Sequence, residues 1–328
     1  MKHSRQKYSP GIFPGSILVL MVSLLLFVAA SCAEGPAMPT DQPDDELPSD
    51  EEGVDKEEVD EEKVDEEEAK VEGVDYFLPK IDLSHWKVTL PVGNPTEVKP
   101  PEILDYATNE TLLPFMYNDS TDGSLVFYTY PGDATTANSS YSRTELREQM
   151  EPGSNSVNWT FKQGGKMMGT LAMEDISKDE EGKFHRTIIM QIHGRLTNAQ
   201  RDRIGQKDNN APPILKIYWA HEKVRVKTKI LKDEKVEGDE ILYTDAWGDD
   251  EGVYFDEEVG FEKFTLEVEV TEGKMLVTLN DKQTLVYEGV HMDKWGVFEN
   301  YFKAGNYLVT RDEGAFARVK YYDLVVSH

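Results

Sequence analysis

Between residues 85 and 326 apolar and polar positions alternate in short runs, each closed by a turn signal. HWKVTL runs into PVGNP, and SLVFYTYPG, YSRTELREQM, HRTIIMQIHG, PILKIYWAH, KVRVKTKIL, FTLEVEVTEGK, MLVTLNDK and RVKYYDLVV follow in order. A period of two sends successive side chains to opposite faces of a strand, whereas the 3.6-residue period of long amphipathic helices is hard to find here. EVEVTEGKMLVTLND reads as a hairpin closed at Glu272-Gly273, with Val268, Val270, Leu276 and Leu279 available for burial. The predicted fold class is all-β, a two-sheet sandwich or jelly roll whose curved outer face can serve as a groove.

Three of these strands carry polar groups where a buried face would carry Val or Leu. YSRTELREQM sets Arg143, Glu145 and Arg147 on one side and Thr144, Leu146 and Glu148 on the other. From spacing alone a cross-braced surface strand is favoured over an arginine gripping a carboxylate. IIMQIHG aligns Ile189, Gln191 and His193, leaving Ile188, Met190 and Ile192 for the core, and its spacing serves a structural or a functional histidine equally. YFKAGNYL aligns Tyr301, Lys303, Gly305 and Tyr307, with Gly305 leaving room for an approach to the backbone. Together the three faces offer cations, an amide, an imidazole and phenols against the single acid Glu145, a composition suited to binding an anion and moving a proton.

Composition divides the 328 residues into three pieces. Residues 1–32 open with Lys2, Arg5 and Lys7, continue through an apolar run at 17–30 and end in Ala-Ala-Ser-Cys, the layout of a secretory signal. That run is shorter than the roughly 20 residues of a membrane span. Cys32 stands where a lipoprotein signal places its acylated cysteine, so export and a lipid anchor on the bacterial outer membrane are expected, the anchor being the only membrane contact, with a plain cleaved signal and a secreted protein as the alternative. Residues 33–75 hold 20 acids against Lys56, Lys63 and Lys70, with a five-residue repeat (VDKEE, VDEEK, VDEEE) that fits neither helix nor strand. They read as a solvated tether. Residues 76–328 form the expected single β domain, acting as a monomer.

Charge and cysteine count then exclude several classes. The net charge is −27; setting aside −17 for the tether and +3 for the leader leaves −13 for the domain. A nucleic-acid partner would require a basic excess, and an anionic substrate requires a locally basic cleft. With its one cysteine at position 32, the domain has no thiol nucleophile and no disulfide. The three strands do not present the paired carboxylates of a retaining glycosidase. No zinc, P-loop or EF-hand pattern occurs, and Asp249-Asp250-Glu251 fits a solvated loop better than a calcium site. Neither metal nor cofactor is predicted.

RTELRE, QIH and YFKAGNY, in this order, closely resemble the three signature segments of the alginate lyases of polysaccharide lyase family 7, and WKVTLPVG fits the same pattern more loosely. The resemblance implies a β-jelly roll with alginate bound on a concave sheet and cleaved by β-elimination. It further implies that Arg143 and Gln191 neutralise the uronate carboxylate, that His193 takes the C5 proton, and that Tyr307 serves as acid and, for some linkages, as base. Glu145, Arg147, Lys303 and Asn306 fall on positions that support or bind substrate. Val309 stands where many relatives carry glutamine, which alters one substrate contact. Ile192 within QIH goes with guluronate-containing blocks, through packing beneath the strand. The rival expectations are a non-catalytic alginate-binding or lectin-like module and a lyase for another polyuronate such as glucuronan.

Overall fold

The structure, a computed structural model, describes residues 78–328 apart from 136–138. The leader, Cys32 and the acidic tether lie outside the described residues.

Two sheets make the domain. In the first, the order is Gln283–Glu288, Lys274–Leu279, Phe264–Thr271, Gly165–Ile176, Ala317–Ser327, Ser124–Thr129 and Met116–Asp119. The second runs Trp247–Asp249, Lys223–Leu231, Asn210–Ala220, Thr187–Arg195, Glu299–Leu308, Arg143–Glu148, Trp86–Thr89 and Glu97–Val98. Strand pairing is antiparallel except for the two-residue strand Lys80–Ile81, which lies parallel to Ala317–Ser327. This is the all-β sandwich expected from the alternation. The three polar-faced strands are immediate neighbours, with Glu299–Leu308 between Thr187–Arg195 and Arg143–Glu148.

Burial follows the period of two on both sheets. Val224 and Val226 of one strand, Leu215 and Ile217 of the next, and Phe302 and Ala304 of a third are fully buried between the sheets. Each Val, Leu, Ile or Phe side chain so placed contributes about 1.5–3 kcal/mol. The predicted hairpin closes at Glu272-Gly273, Gly273 having φ +71° and Thr271 pairing with Lys274. Val268, Val270 and Leu279 enter the core as expected, but Leu276 pairs with Glu269 on the outer face, and Met275 and Val277 take the inner positions. Leu276 and Leu279 are three apart and cannot share a face at a period of two.

A bulge in the central strand shifts the second expectation. Ala304 pairs with Met190 but Tyr307 pairs with Ile188, so three steps on one strand match two on the other. Ile189 therefore joins the core, while Ile188 lies on the polar face opposite Tyr307. The bulge is built on Gly305, whose φ is +131° and where a Cβ would meet Thr144 O at 2.7 Å. The neighbouring strand, rather than a ligand, occupies the space the glycine leaves. Tyr321 of the opposite sheet stitches the irregularity: its hydroxyl accepts from Gly305 N at 3.0 Å and donates to Ile189 O at 2.5 Å.

Asn306 faces the core. Its amide donates to Phe127 O and Ala317 O at 2.9 and 2.8 Å, and its carbonyl accepts from Thr187 Oγ1 at 2.7 Å. Tyr321→Phe would strand two backbone groups in the core, a loss of about 1–3 kcal/mol. Urea unfolding should show a lowered midpoint; a midpoint equal to that of the wild type would contradict this role.

Candidate active site

Register brings the polar groups of the three strands side by side. Lys303 pairs with Arg147 on one flank and Gln191 on the other; Gly305 pairs with Glu145, Tyr301 with His193, and Tyr307 with Arg143. Glu145, only 2% exposed, is the centre of the set. It accepts hydrogen bonds from Gln191 Nε2 and Lys303 Nζ, and Arg143 Nε lies 3.6 Å from its Oε2. One negative charge thus faces two positive ones, so a net positive charge remains for an anion. Burial, with Arg143 adding to it against the pull of Glu145, lowers the Lys303 ammonium to about 8. Arg143 Nε is buried without a hydrogen-bond partner.

Arg147 is engaged differently. Its guanidinium donates to Glu148 O at 2.6 Å, Asn158 Oδ1 at 2.7 Å and Asn155 O at 3.2 Å. It also lies 4.1 Å above the Tyr301 ring, and that ring stacks on His193 with centroids 5.2 Å apart and planes 11° from parallel. The stack fixes the plane of the imidazole. His193 Nδ1 sits 2.9 Å from Gly194 O. A carbonyl only accepts, so Nδ1 carries the hydrogen and Nε2 keeps its lone pair. Burial, then the charges of Lys303 and Arg143, pull the imidazole down to about 3, leaving it neutral at neutral pH.

Tyr307 completes the cluster from the end of the bulged strand. The Arg143 guanidinium carbon lies 5.7 Å from its ring centroid, and Tyr141 packs edge-on at 6.3 Å. Burial and the charge of Glu145 raise the phenol above its usual value, with Arg143 opposing, so it is protonated at neutral pH. Arg143, Gln191, His193, Lys303 and Tyr307 all line one cavity of 260 Å³. It shares Arg143, His193 and Lys303 with a cleft of 530 Å³ on one side. On the other it shares Ser140 and Tyr141 with a cleft of 710 Å³, so the three form an extended groove.

The expected residues are placed as follows. Arg143, Gln191, His193 and Tyr307 converge on one space, with Glu145 and Lys303 beneath it, while Arg147 lines the adjoining cleft and Asn306 reaches neither. Asn306 differs from its expected role as a substrate neighbour because it lies on the inner face of the strand. Of the paired arginines, Arg147 is the brace and Arg143 the one with donor capacity to spare. Sequence reading passed over Lys216 and Tyr218, which line the same cavity. Their alternation in ILKIYW is the signal that would have found them. Asp249 ends strand Trp247–Asp249 and Asp250-Glu251 lies in the exposed loop that follows, as expected, yet both aspartates are engaged: Asp249 lies 2.6 Å from Lys229 Nζ, and Asp250 accepts from Thr228 N and Oγ1 at 3.0 Å.

The chain is similar to known proteins. The family model described as alginate lyase matches residues 81–328. An alginate lyase of Klebsiella pneumoniae is 25% identical, over 76% of this chain and 90% of its own. The crystal structure of alginate lyase A1-II', a member of polysaccharide lyase family 7, is 31% identical with a TM-score of 0.60, covering 76% of this chain and 96% of its own. The same enzyme has been solved as a singly substituted variant with a GGG product and as a doubly substituted variant with a GGMG substrate. Alginate lyase PA1167 of Pseudomonas aeruginosa, at 21% identity and a TM-score of 0.56 over 75% of this chain and 99% of its own, shares the fold. The chain belongs to the alginate lyase family, among the jelly-roll enzymes of polysaccharide lyase family 7.

Proposed function

We propose that this alginate lyase cleaves its polymer by β-elimination in the Arg143–Tyr307 groove and favours guluronate-containing blocks. The observation that carries the mechanism is the convergence of neutral His193 Nε2, protonated Tyr307 and the cations around Glu145 on a single cavity.

The C5 hydrogen of a uronate is hardly acidic, because its removal adds charge beside a carboxylate that is already negative. Arg143, Lys303 and the Gln191 amide are the groups available to neutralise that carboxylate and to hold the enolate-like dianion as it forms. His193 Nε2 accepts the C5 proton. The electron pair left behind forms the C4–C5 double bond, the C4–O bond breaks, and the departing oxygen takes the Tyr307 proton. The products are an unsaturated uronate and a new sugar hydroxyl, with no water consumed. A bound carboxylate offsets the charges of Lys303 and Arg143, which lifts His193 from its depressed value towards the range of an effective base.

The guluronate preference rests on two supports. One relative, alginate lyase A1-II', has been solved with a GGG product and with a GGMG substrate, G being guluronate and M mannuronate. Ile192, fully buried under Gln191 and His193, can act on selectivity only through the packing beneath the strand.

Ultraviolet absorbance of the unsaturated end provides the test. Incubated with polyguluronate, polymannuronate and polyglucuronate, the enzyme should gain absorbance fastest on polyguluronate, and Tyr307→Phe should abolish the gain while polymer binding persists. Faster turnover of another polymer would refute the preference, and an active Tyr307→Phe variant would refute the acid assignment. The pH dependence of kcat/KM reports the free enzyme. His193 is already neutral at pH 6.5, so no acid limb should appear there, whereas kcat/KM should fall as pH rises through about 8 and Lys303 loses its proton. Lys303→Arg keeps its charge and should move that limb upward; an unmoved limb would assign it to another group.

A further inference from the structure

Beyond the catalytic groups, the groove face carries a second set of cations. Arg225, Lys227 and Lys229 occupy alternate positions of strand Lys223–Leu231 and project from one side of it. Lys227 pairs with Lys216 of the next strand, and Lys216 pairs with Gln191. From Gln191 the same row continues through Lys303, Arg147 and Lys87. A single transverse row of the sheet therefore bears five cations and one amide, in a domain whose net charge is −13.

One carboxylate holds the outer half of this row. Asp249, on the edge strand opposite Lys229, places Oδ1 2.6 Å from Lys229 Nζ and Oδ2 3.7 and 4.0 Å from Lys216 and Lys227. The side chains of these lysines are 15–22% exposed. Three positive charges meet one negative charge, and two of the three contacts are longer than a hydrogen bond. Burial, with Lys229 and Lys227 adding to it against Asp249, pulls the Lys216 ammonium below its usual value. A brace would balance its charges. This cluster leaves a positive surplus beside the catalytic cavity, which Lys216 itself lines.

A polyuronate carries one carboxylate on every sugar, and the Arg143, Gln191 and Lys303 set serves only the sugar at which the bond breaks. Lys216 and Lys227 stand one and two strands from Gln191, about 5 and 10 Å away at the backbone. We infer that Lys216, Lys227 and Lys229 form a second uronate subsite, in which Asp249 stands in for a substrate carboxylate while the groove is empty and yields part of that position when the polymer binds. The inference rests on the groove being a polyuronate site.

Steady-state kinetics on polyguluronate across a salt series test it. Lys227→Gln should raise KM about tenfold, the loss of about 1.4 kcal/mol of binding, with kcat near that of the wild type, and Lys227→Arg should restore KM. Asp249→Asn should do the opposite, lowering KM and steepening its salt dependence, because it releases the lysines to the polymer. If Asp249→Asn raises KM or leaves it unchanged, the cluster is a structural brace and the inference falls. Where Asp249→Asn does not fold, a Lys227→Gln, Lys229→Gln double variant carries the test: a raised KM supports the subsite and an unchanged KM overturns it. A wild-type enzyme inert on every polyuronate would remove the underlying function instead, and gel retardation by polyguluronate would still rank the variants for binding.

Discussion

A carboxylate almost wholly withdrawn from water ties the three central strands of the grooved sheet to one another. Glu145 comes from the first, its amide partner Gln191 from the second and its ammonium partner Lys303 from the third. Burying an isolated carboxylate is costly, and hydrogen-bonded partners of opposite charge are what make it tolerable. The same ties set the aim of the donors. With Arg143 3.6 Å away, Glu145 neutralises only part of the charge it gathers. The site is thereby prepared for an anion before one arrives, the condition under which fixed donors lower a barrier most.

Alternation along the chain was enough to predict the sandwich and to find the polar faces of RTELRE, QIH and YFKAGNYL. Identical spacing could not separate Arg143 from Arg147. What separates them is the environment each meets, since Asn155, Asn158 and Tyr301 occupy Arg147 and leave Arg143 uncommitted. The bulge at Gly305 was hidden for a related reason. A glycine in a strand can admit a ligand, a neighbouring backbone or a change of register, and only the pairing of Tyr307 with Ile188 shows which occurs. That shift exchanges the faces of Ile188 and Ile189, whereas Asn306 faces inward by the ordinary alternation between Gly305 and Tyr307.

The acidic total of the chain conceals a basic groove. Residues 33–75 hold 20 of the 62 acids, whereas the row from Lys227 to Lys87 concentrates cations on one face. Net charge bears on partners recognised over a whole surface but says little about a cleft. Family membership and the proposed elimination fit the groove chemistry, because removal of a proton beside a carboxylate requires cations, a neutral base and a protonated acid together.

The central claim is that Glu145 sets the charge and position of the donors. Kinetics of Glu145→Gln across pH test it most directly. The account predicts a fall in kcat/KM of about 10²-fold or more, with the alkaline limb moved below the wild-type value because Lys303 loses the anion that raises its pKa. Near wild-type turnover with an unmoved limb would contradict it.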